Sequence, residues 1–145
     1  MSDIVWSINP KNDKMEMIIT RMRQYASETL EASQIAFHLE VDKESYNLSL
    51  PIDKRKDFYL IFKEAINNLA KYSQATNAQI RIEAKKHELC MSITDNGKGF
   101  DPQVSYVGNG LKNMRSRATQ IRGELQMNSS PGKGTTIRLT LPLTP

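Results

Sequence analysis

The hydrophobic pattern of the first third of the chain predicts a helix followed by strands. Apolar residues recur at helical intervals over residues 13–32, and Asp13 and Glu16 at the start have the spacing of a capping box. Apolar and polar residues then alternate over residues 35–41, which is typical of a strand with one buried face. The stretch YNLSLP, residues 46–51, is predicted to form a second, short strand.

The middle of the chain predicts a long helix and then a hairpin. Pro51 and Asp53 are expected to open a helix that ends near Tyr72. Two alternating runs follow, AQIRIEAKK (78–86) and ELCMSITD (88–95), so they are predicted to pair as antiparallel strands.

The last third predicts one more helix and a second hairpin. An apolar stripe starts at Leu111, and Gly123 is expected to close that helix with its left-handed backbone. The runs ELQMNSS (124–130) and TTIRLTL (135–141) are predicted to form the final strand pair. Segregated helices and neighbouring hairpins favour an α+β fold, a two-layer α/β sandwich.

Composition and charge narrow the class of protein. Hydrophobic residues make up 39% and charged residues 25% of the chain, which is typical of one folded domain. No uncharged apolar run approaches the roughly 18 residues that cross a bilayer, and no signal peptide is visible. The net charge of +4 does not favour nucleic-acid binding, because only residues 54–56 form a basic cluster and no aromatic residues interleave with it. The single cysteine, Cys90, agrees with a reducing compartment.

The first residues are expected to belong to a different element. MSDIVWS precedes Asn9-Pro10 and resembles the end of a helix that stops before the proline. We therefore predict that residues 1–12 are the tail of an upstream helix with its linker, and that residues 13–145 form the domain.

A polar stripe on the long predicted helix is the first candidate site. Glu64, Asn68 and Lys71 are spaced so that they line up beside the buried face, and Tyr72 lies at the border. A solvated helix face is the alternative explanation, but the adjacent asparagines Asn67-Asn68 are poor choices in the middle of a helix. Oxygen donors one turn apart suit Mg²⁺, which takes its remaining ligands from phosphates and water, and a carboxylate there can orient or deprotonate an attacking group.

Three pairs of glycines suggest that backbone approaches a ligand closely. In DNGKGFD, Asn96-Gly97 fits a type I′ hairpin turn, but this alternative leaves the second glycine, Gly99, unexplained. Gly108 and Gly110 stand at the mouth of the helix that includes Leu111, which has the form of an anion site. Gly132 and Gly134 form the third pair, directly before Thr135.

The strand that precedes the first glycine pair ends in a candidate binding residue. Asp95 is placed to accept a hydrogen bond from an exocyclic amine such as that of adenine. The short polar stretch 101–107 is expected to close over a bound nucleotide as a lid.

Four motifs in order carry a resemblance to a known superfamily. KEAINNLAKYS, DNGKGFD, GNGLKNM and GKGTT resemble the N box and the glycine boxes of the GHKL superfamily. The chain looks like the ATP-binding domain of a two-component sensor histidine kinase. The short lid and WSINPKND resemble the subgroup of nitrate- and desaturase-regulating sensors. The resemblance implies the Bergerat fold, with a mixed, mostly antiparallel sheet covered on one face by helices.

The resemblance also implies the role of each candidate residue in binding ATP and Mg²⁺. Glu64 corresponds to the acidic catalytic residue, and Asn68 to the Mg²⁺ ligand. Asp95 corresponds to the acceptor of the adenine amine, with Thr135 assisting through water. The remaining positions are implied to approach the phosphates, the nucleoside or the lid hinge: Lys71, Tyr72, Gly97, Gly99, Gly108, Gly110 and Leu111.

Two positions depart from the pattern of the resembled family. Tyr72 stands where the subgroup commonly has histidine. The phosphate-accepting histidine is missing, because His87 falls in a hairpin and His38 on a strand.

The resemblance implies partners outside this chain. The acceptor histidine is expected on an upstream dimerisation domain, and a response regulator would receive the phosphoryl group from it. The whole protein is expected to be a homodimeric sensor, anchored in a membrane with this domain in the cytoplasm, and nucleic acid is not an expected partner. An anti-sigma-factor-type serine kinase and a non-catalytic nucleotide-binding module are the alternatives.

Overall fold

The computed structural model describes residues 14–99 and 109–143, and of Asn109 only the backbone. The elements, in chain order, are α1 (Met15–Ala32), β1 (Ala36–Val41), α2 (Lys43–Tyr46), α3 (Ile52–Tyr72), β2 (Asn77–Lys85), β3 (Glu88–Asp95), α4 (Asn109–Gln120), β4 (Glu124–Ser129) and β5 (Thr135–Pro142). The predicted start of the first helix at Asp13, the segment 1–12, Gly108 and the lid 101–107 lie outside the described residues.

The five described strands form one mixed sheet in the order β1-β2-β3-β5-β4. β1 pairs with β2 in parallel, and all other neighbours are antiparallel. Both predicted hairpins are present, β2–β3 and β4–β5. The α+β class and the mixed, mostly antiparallel sheet are therefore confirmed.

Alternation along the strands explains why the helices cover one face. Every second residue of β3 is buried from Leu89 onward, and the same alternation holds in β2 from Ala78 to Ile82, while their neighbours face outward. Above that face, α3 buries an apolar side that includes Phe58, Phe62 and Leu69. None of the helices in the described ranges is long and apolar enough to cross a bilayer.

The predicted strand over residues 46–51 is wrong. Tyr46 ends the short helix α2, which begins because the side chain of Asp42 accepts a hydrogen bond from the backbone N–H of Ser45 at 3.0 Å. Only Ser49 makes a strand-like contact, a single bridge to Lys14. The alternation of apolar residues over 46–51 thus reflects the burial of Leu50 and not an additional strand of the sheet.

The end of α4 also differs from the prediction, because the left-handed residue is Arg122 (φ 59°) and not Gly123. The Gly123 N–H bonds to the Ala118 carbonyl at 2.8 Å, and the Arg122 N–H to the Thr119 carbonyl at 3.1 Å, which is a Schellman ending. Position 123 is also crowded, since a Cβ there would lie 3.1 Å from the Thr140 carbonyl oxygen, which would have to move by a few tenths of an ångström.

We expect the variant Arg122→Gly to raise the free energy of unfolding by about 0.5 kcal/mol. Glycine relieves the strain of the left-handed backbone, and this gain exceeds the loss from the higher conformational entropy of the unfolded chain. Gly123→Ala should lower the same quantity by about 1 kcal/mol through crowding against Thr140. Urea denaturation measures both. Arg122→Ala is the matched control, since it removes the guanidinium but keeps the Cβ; an equal gain in this control would contradict the strain argument.

Candidate functional site

The polar stripe of α3 meets the first turn of α4. A Cβ at Gly110 would lie 2.8 Å from Oε1 of Glu64, 2.6 Å from Nδ2 of Asn68 and 3.2 Å from Oδ1 of Asn68. Two candidate features that were predicted separately, the polar stripe with Glu64 and Asn68 and the glycine pair with Gly110, are therefore in contact. A side chain at position 110 would force the side chains of Glu64 and Asn68 to rotate, so glycine allows both groups to stay against the α4 backbone.

The Asn68 side chain has unused hydrogen-bonding capacity within this contact. Its Nδ2 atom is buried and has no hydrogen-bond partner among the described residues. An amide offers both a donor and an oxygen acceptor, so Asn68 can donate to an anionic oxygen while its own oxygen ligates a cation. With the Glu64 carboxylate alongside, these are the hard oxygen donors that suit Mg²⁺ together with phosphate.

Asp95 ends β3 as a buried acceptor. The residue is 8% exposed, and its Oδ1 accepts a hydrogen bond from the Gly97 N–H at 2.8 Å. Burial raises the pKa of the Asp95 carboxyl, while the backbone N–H groups of Gly97 and Thr135 act to lower it. A carboxylate has about four lone-pair positions, so it keeps capacity for a further donor such as an exocyclic amine.

The glycines around Asp95 are explained by contacts within the protein. A Cβ at Gly97 would lie 2.2 Å from the Ser73 carbonyl oxygen, and one at Gly134 would lie 2.1 Å from the Asp95 carbonyl oxygen. A Cβ at Gly99 would lie 2.1 Å from the Ser130 carbonyl oxygen. Both Gly99 and Gly134 also have positive φ. Whether Gly97 and Gly99 also approach a purine stays a prediction.

The alternative of a type I′ turn at Asn96-Gly97 is wrong, because neither residue has the positive φ that this turn requires. Asn96 instead holds the loop in place. Its Oδ1 accepts hydrogen bonds from the backbone N–H groups of Thr76 and Asn77, each at 2.9 Å, and its Nδ2 donates to the Thr76 hydroxyl at 2.9 Å. The sequence marked Asn96 only as a turn residue, so this role was missed.

Both groups of candidate residues touch the C-terminal half of α3. Asn68 lies in the contact with Gly110, and Ser73, roughly 7.5 Å further along the helix axis, accepts a hydrogen bond from the Lys98 N–H at 2.8 Å. The helix therefore connects the oxygen-rich contact to the loop that follows Asp95.

The other candidate residues occupy the edges of this region. Lys71 and Tyr72 are exposed at the end of α3, and Tyr72 is 51% exposed despite its size. Thr135 pairs with Asp95 across the β3–β5 ladder, and its hydroxyl lies 2.8 Å from that of Ser129. Leu111 is half-buried on α4.

Comparison with known proteins gives one family match and several relatives. Residues 53–145 match the family of histidine kinase-, DNA gyrase B-, and HSP90-like ATPases. The signal transduction histidine-protein kinase/phosphatase DegS of Brevibacillus brevis is 34% identical over 87 residues, which are 59% of this chain and 22% of that protein. The sensor protein VraS of Staphylococcus epidermidis is 32% identical over 106 residues, 72% of this chain and 30% of that protein.

The fold also matches a solved structure. The histidine kinase AdeS of Acinetobacter baumannii superimposes with a TM-score of 0.74 over 91% of this chain and 66% of that chain, at 15% identity. The present chain spans less than a third of the length of the two relatives named above.

We expect the buried Asp95 carboxyl to make stability depend on pH. The pKa of this carboxyl is raised in the folded state. Below the unfolded-state pKa the carboxyl is neutral in both states, so its burial costs little stability. As the pH rises through the folded-state pKa, the folded protein must bury a charged carboxylate, which lowers its stability. Relative to Asp95→Asn, the wild-type protein should therefore lose stability as the pH rises from about 4 to 7. Urea denaturation at several pH values measures this difference. Parallel curves for the two proteins would contradict it, and Asp53→Asn, on an exposed residue, is the matched control.

Proposed function

Because the chain belongs to the histidine kinase-, DNA gyrase B-, and HSP90-like ATPase family, we propose that it binds Mg·ATP and presents the γ-phosphoryl group for transfer to a histidine. The family match, together with the histidine kinase and sensor relatives, confirms the predicted resemblance to the ATP-binding domains of sensor histidine kinases. The assignment to the short-lid subgroup stays a prediction. The relatives named above are a histidine kinase and a sensor protein, and no observation favours a serine kinase or a non-catalytic module.

The observation that carries this proposal is the pair of groups joined by α3. At one end of the candidate site is the buried acceptor Asp95. At the other end of the site is the contact of Glu64, Asn68 and Gly110. An extended nucleotide has the matching order of groups, with an amine-bearing purine at one end and charged phosphates at the other. Asp95 would accept the adenine amine, and Thr135 would support it through water.

The phosphate end requires anion donors and a cation ligand. The free N–H groups and positive dipole end of α4 suit phosphate, so the backbone of Gly110 and Leu111 would contact the triphosphate, and Gly108 is predicted to join them. Asn68 would ligate Mg²⁺ through Oδ1 and donate to a phosphate oxygen through Nδ2. Magnesium, when bound, supplies neutralisation of the phosphate charge.

The remaining residues would orient groups at the phosphate end. Glu64 would orient or accept the proton of the attacking imidazole, as a positioned carboxylate can. Lys71 would add a mobile positive charge near the phosphates, and Tyr72 would cover part of the nucleoside. Such a site works mainly by positioning and charge stabilisation.

The acceptor histidine would lie outside this chain. His38 is on the outward side of β1 and His87 is exposed at the β2–β3 turn, so neither is beside Glu64 or Asn68. We propose an upstream dimerisation domain as its carrier, a response regulator aspartate as the next acceptor, and a homodimeric, membrane-anchored sensor with this domain in the cytoplasm.

We expect Asp95→Asn to weaken ATP binding by at least tenfold, because a neutral amide replaces a charged acceptor of the adenine amine. Calorimetry with Mg·ATP measures the change, at pH 7. A melting curve on the same sample shows that the variant is folded. Unchanged affinity in a folded variant would refute the adenine role.

We expect Asn68→Ala to remove most of the gain in ATP affinity that Mg²⁺ provides, because the variant lacks the metal-ligating oxygen. The measurement is the ratio of the dissociation constant for ATP without Mg²⁺ to that with Mg²⁺, which should fall by roughly tenfold. Asn67→Ala is the matched control, since it makes the same change one residue away on α3. An equal drop in the control would mean that the effect is structural.

A further inference from the structure

We infer that the ion pair between Asp57 and Arg117, about two helical turns from the Gly110 contact, positions the first turn of α4 over Glu64 and Asn68. This inference rests on the proposed function, because it concerns how the phosphate end of the same site is aligned.

Helices α3 and α4 contact each other at two positions, and the two positions are equally far apart along each helix. Nη1 of Arg117 lies 3.1 Å from Oδ1 of Asp57 at one level, and Gly110 contacts Glu64 and Asn68 at the other. Asp57 precedes Glu64 by about two turns, and Arg117 follows Gly110 by about two turns. The helices therefore run antiparallel, and the ion pair and the Gly110 contact belong to one register.

The ion pair is directional, whereas apolar contacts tolerate small shifts along a helix axis. Met114 and Ala118 on α4 are buried apolar residues of this second kind. The Asp57 side chain is only 6% exposed, and Arg117 is its hydrogen-bonding partner within the described part of the chain. A buried carboxylate without its partner is strongly unfavourable, so a one-turn shift of α4 is resisted at this point.

Register matters at the other contact because the first turn of α4 lies directly against the side chains of Asn68 and Glu64. A Cβ at Gly110 would lie 2.6 Å from Nδ2 of Asn68 and 2.8 Å from Oε1 of Glu64, so these side chains would have to rotate to admit it. A small axial or rotational movement of α4 would move its free N–H groups relative to Asn68, and such a misplacement is costly for positioned groups. Asp57 and Arg117 are thus positioning residues that act through α4.

The test uses a variant in which apolar side chains keep the α3–α4 interface buried but the directional ion pair is removed. In Asp57→Ala/Arg117→Met, apolar groups replace the pair, which ordinarily preserves folding. We expect Mg·ATP to bind about tenfold more weakly to it, while adenosine, which reaches only the Asp95 end, keeps its affinity within about twofold. NMR titrations of the whole 145-residue chain measure both constants.

Two further variants sharpen this comparison. Arg115→Met, on an exposed α4 residue two positions away, is the matched control and should bind both ligands as the wild type does. Arg117→Lys, which keeps the charge, should recover most of the Mg·ATP affinity. Unchanged Mg·ATP affinity in the double variant, or an equal loss for both ligands, would overturn the inference.

A second measurement separates this inference from the proposed function. If the wild type fails to bind Mg·ATP, the proposed function fails, and hydrogen exchange in the ligand-free chain still tests the register. The hydrogen-bonded amides of α4 that follow its first turn, from Asn113 onward, should then exchange several-fold faster in the double variant than in Arg115→Met. Equal exchange in these two variants would overturn the inference.

Discussion

Close backbone contacts at glycine hold the candidate site together. The Ser73 carbonyl lies where a side chain at Gly97 would begin, and the Asp95 carbonyl lies where one at Gly134 would begin. Both obstacles are backbone atoms within strands, loops or helix ends, so they cannot rotate away as a flexible side chain would. The end of α3, the end of β3 and the start of β5 are consequently fixed around one carboxylate, Asp95.

That carboxylate illustrates how binding and stability oppose each other. Asp95 is buried, and the burial raises its pKa, so at neutral pH the folded protein carries a charge in a poorly solvated place. A polar amine that donates to this carboxylate would offset the cost in the bound state. The Asn68 amide is similar, since its buried Nδ2 has no partner among the described residues. Both residues are less favourable for folding than apolar alternatives and more useful for recognition.

Helix α3 connects the two ends of the candidate site because it contacts three different parts of the fold. Its apolar side, with Phe58 and Phe62, packs on the sheet; its polar stripe faces α4; and its end receives the loop after Asp95. Because a helix is rigid, its rise per residue sets the spacing between the contact at Asn68 and the loop that follows Asp95. The orientation of α4 is set separately, by the contact between Asp57 and Arg117.

The sequence by itself determined the three long helices, the two hairpins and the candidate residues Glu64, Asn68, Asp95 and Gly110, because periodicity and glycine placement are local properties. It failed at residues 46–51, where alternation reflected one buried leucine rather than strand pairing. Only the tertiary structure decided what the glycines contact, that Asn96 ties down its loop, and that Arg117 reaches Asp57. These contacts join residues remote in sequence, and local patterns carry no information about which remote atoms will meet.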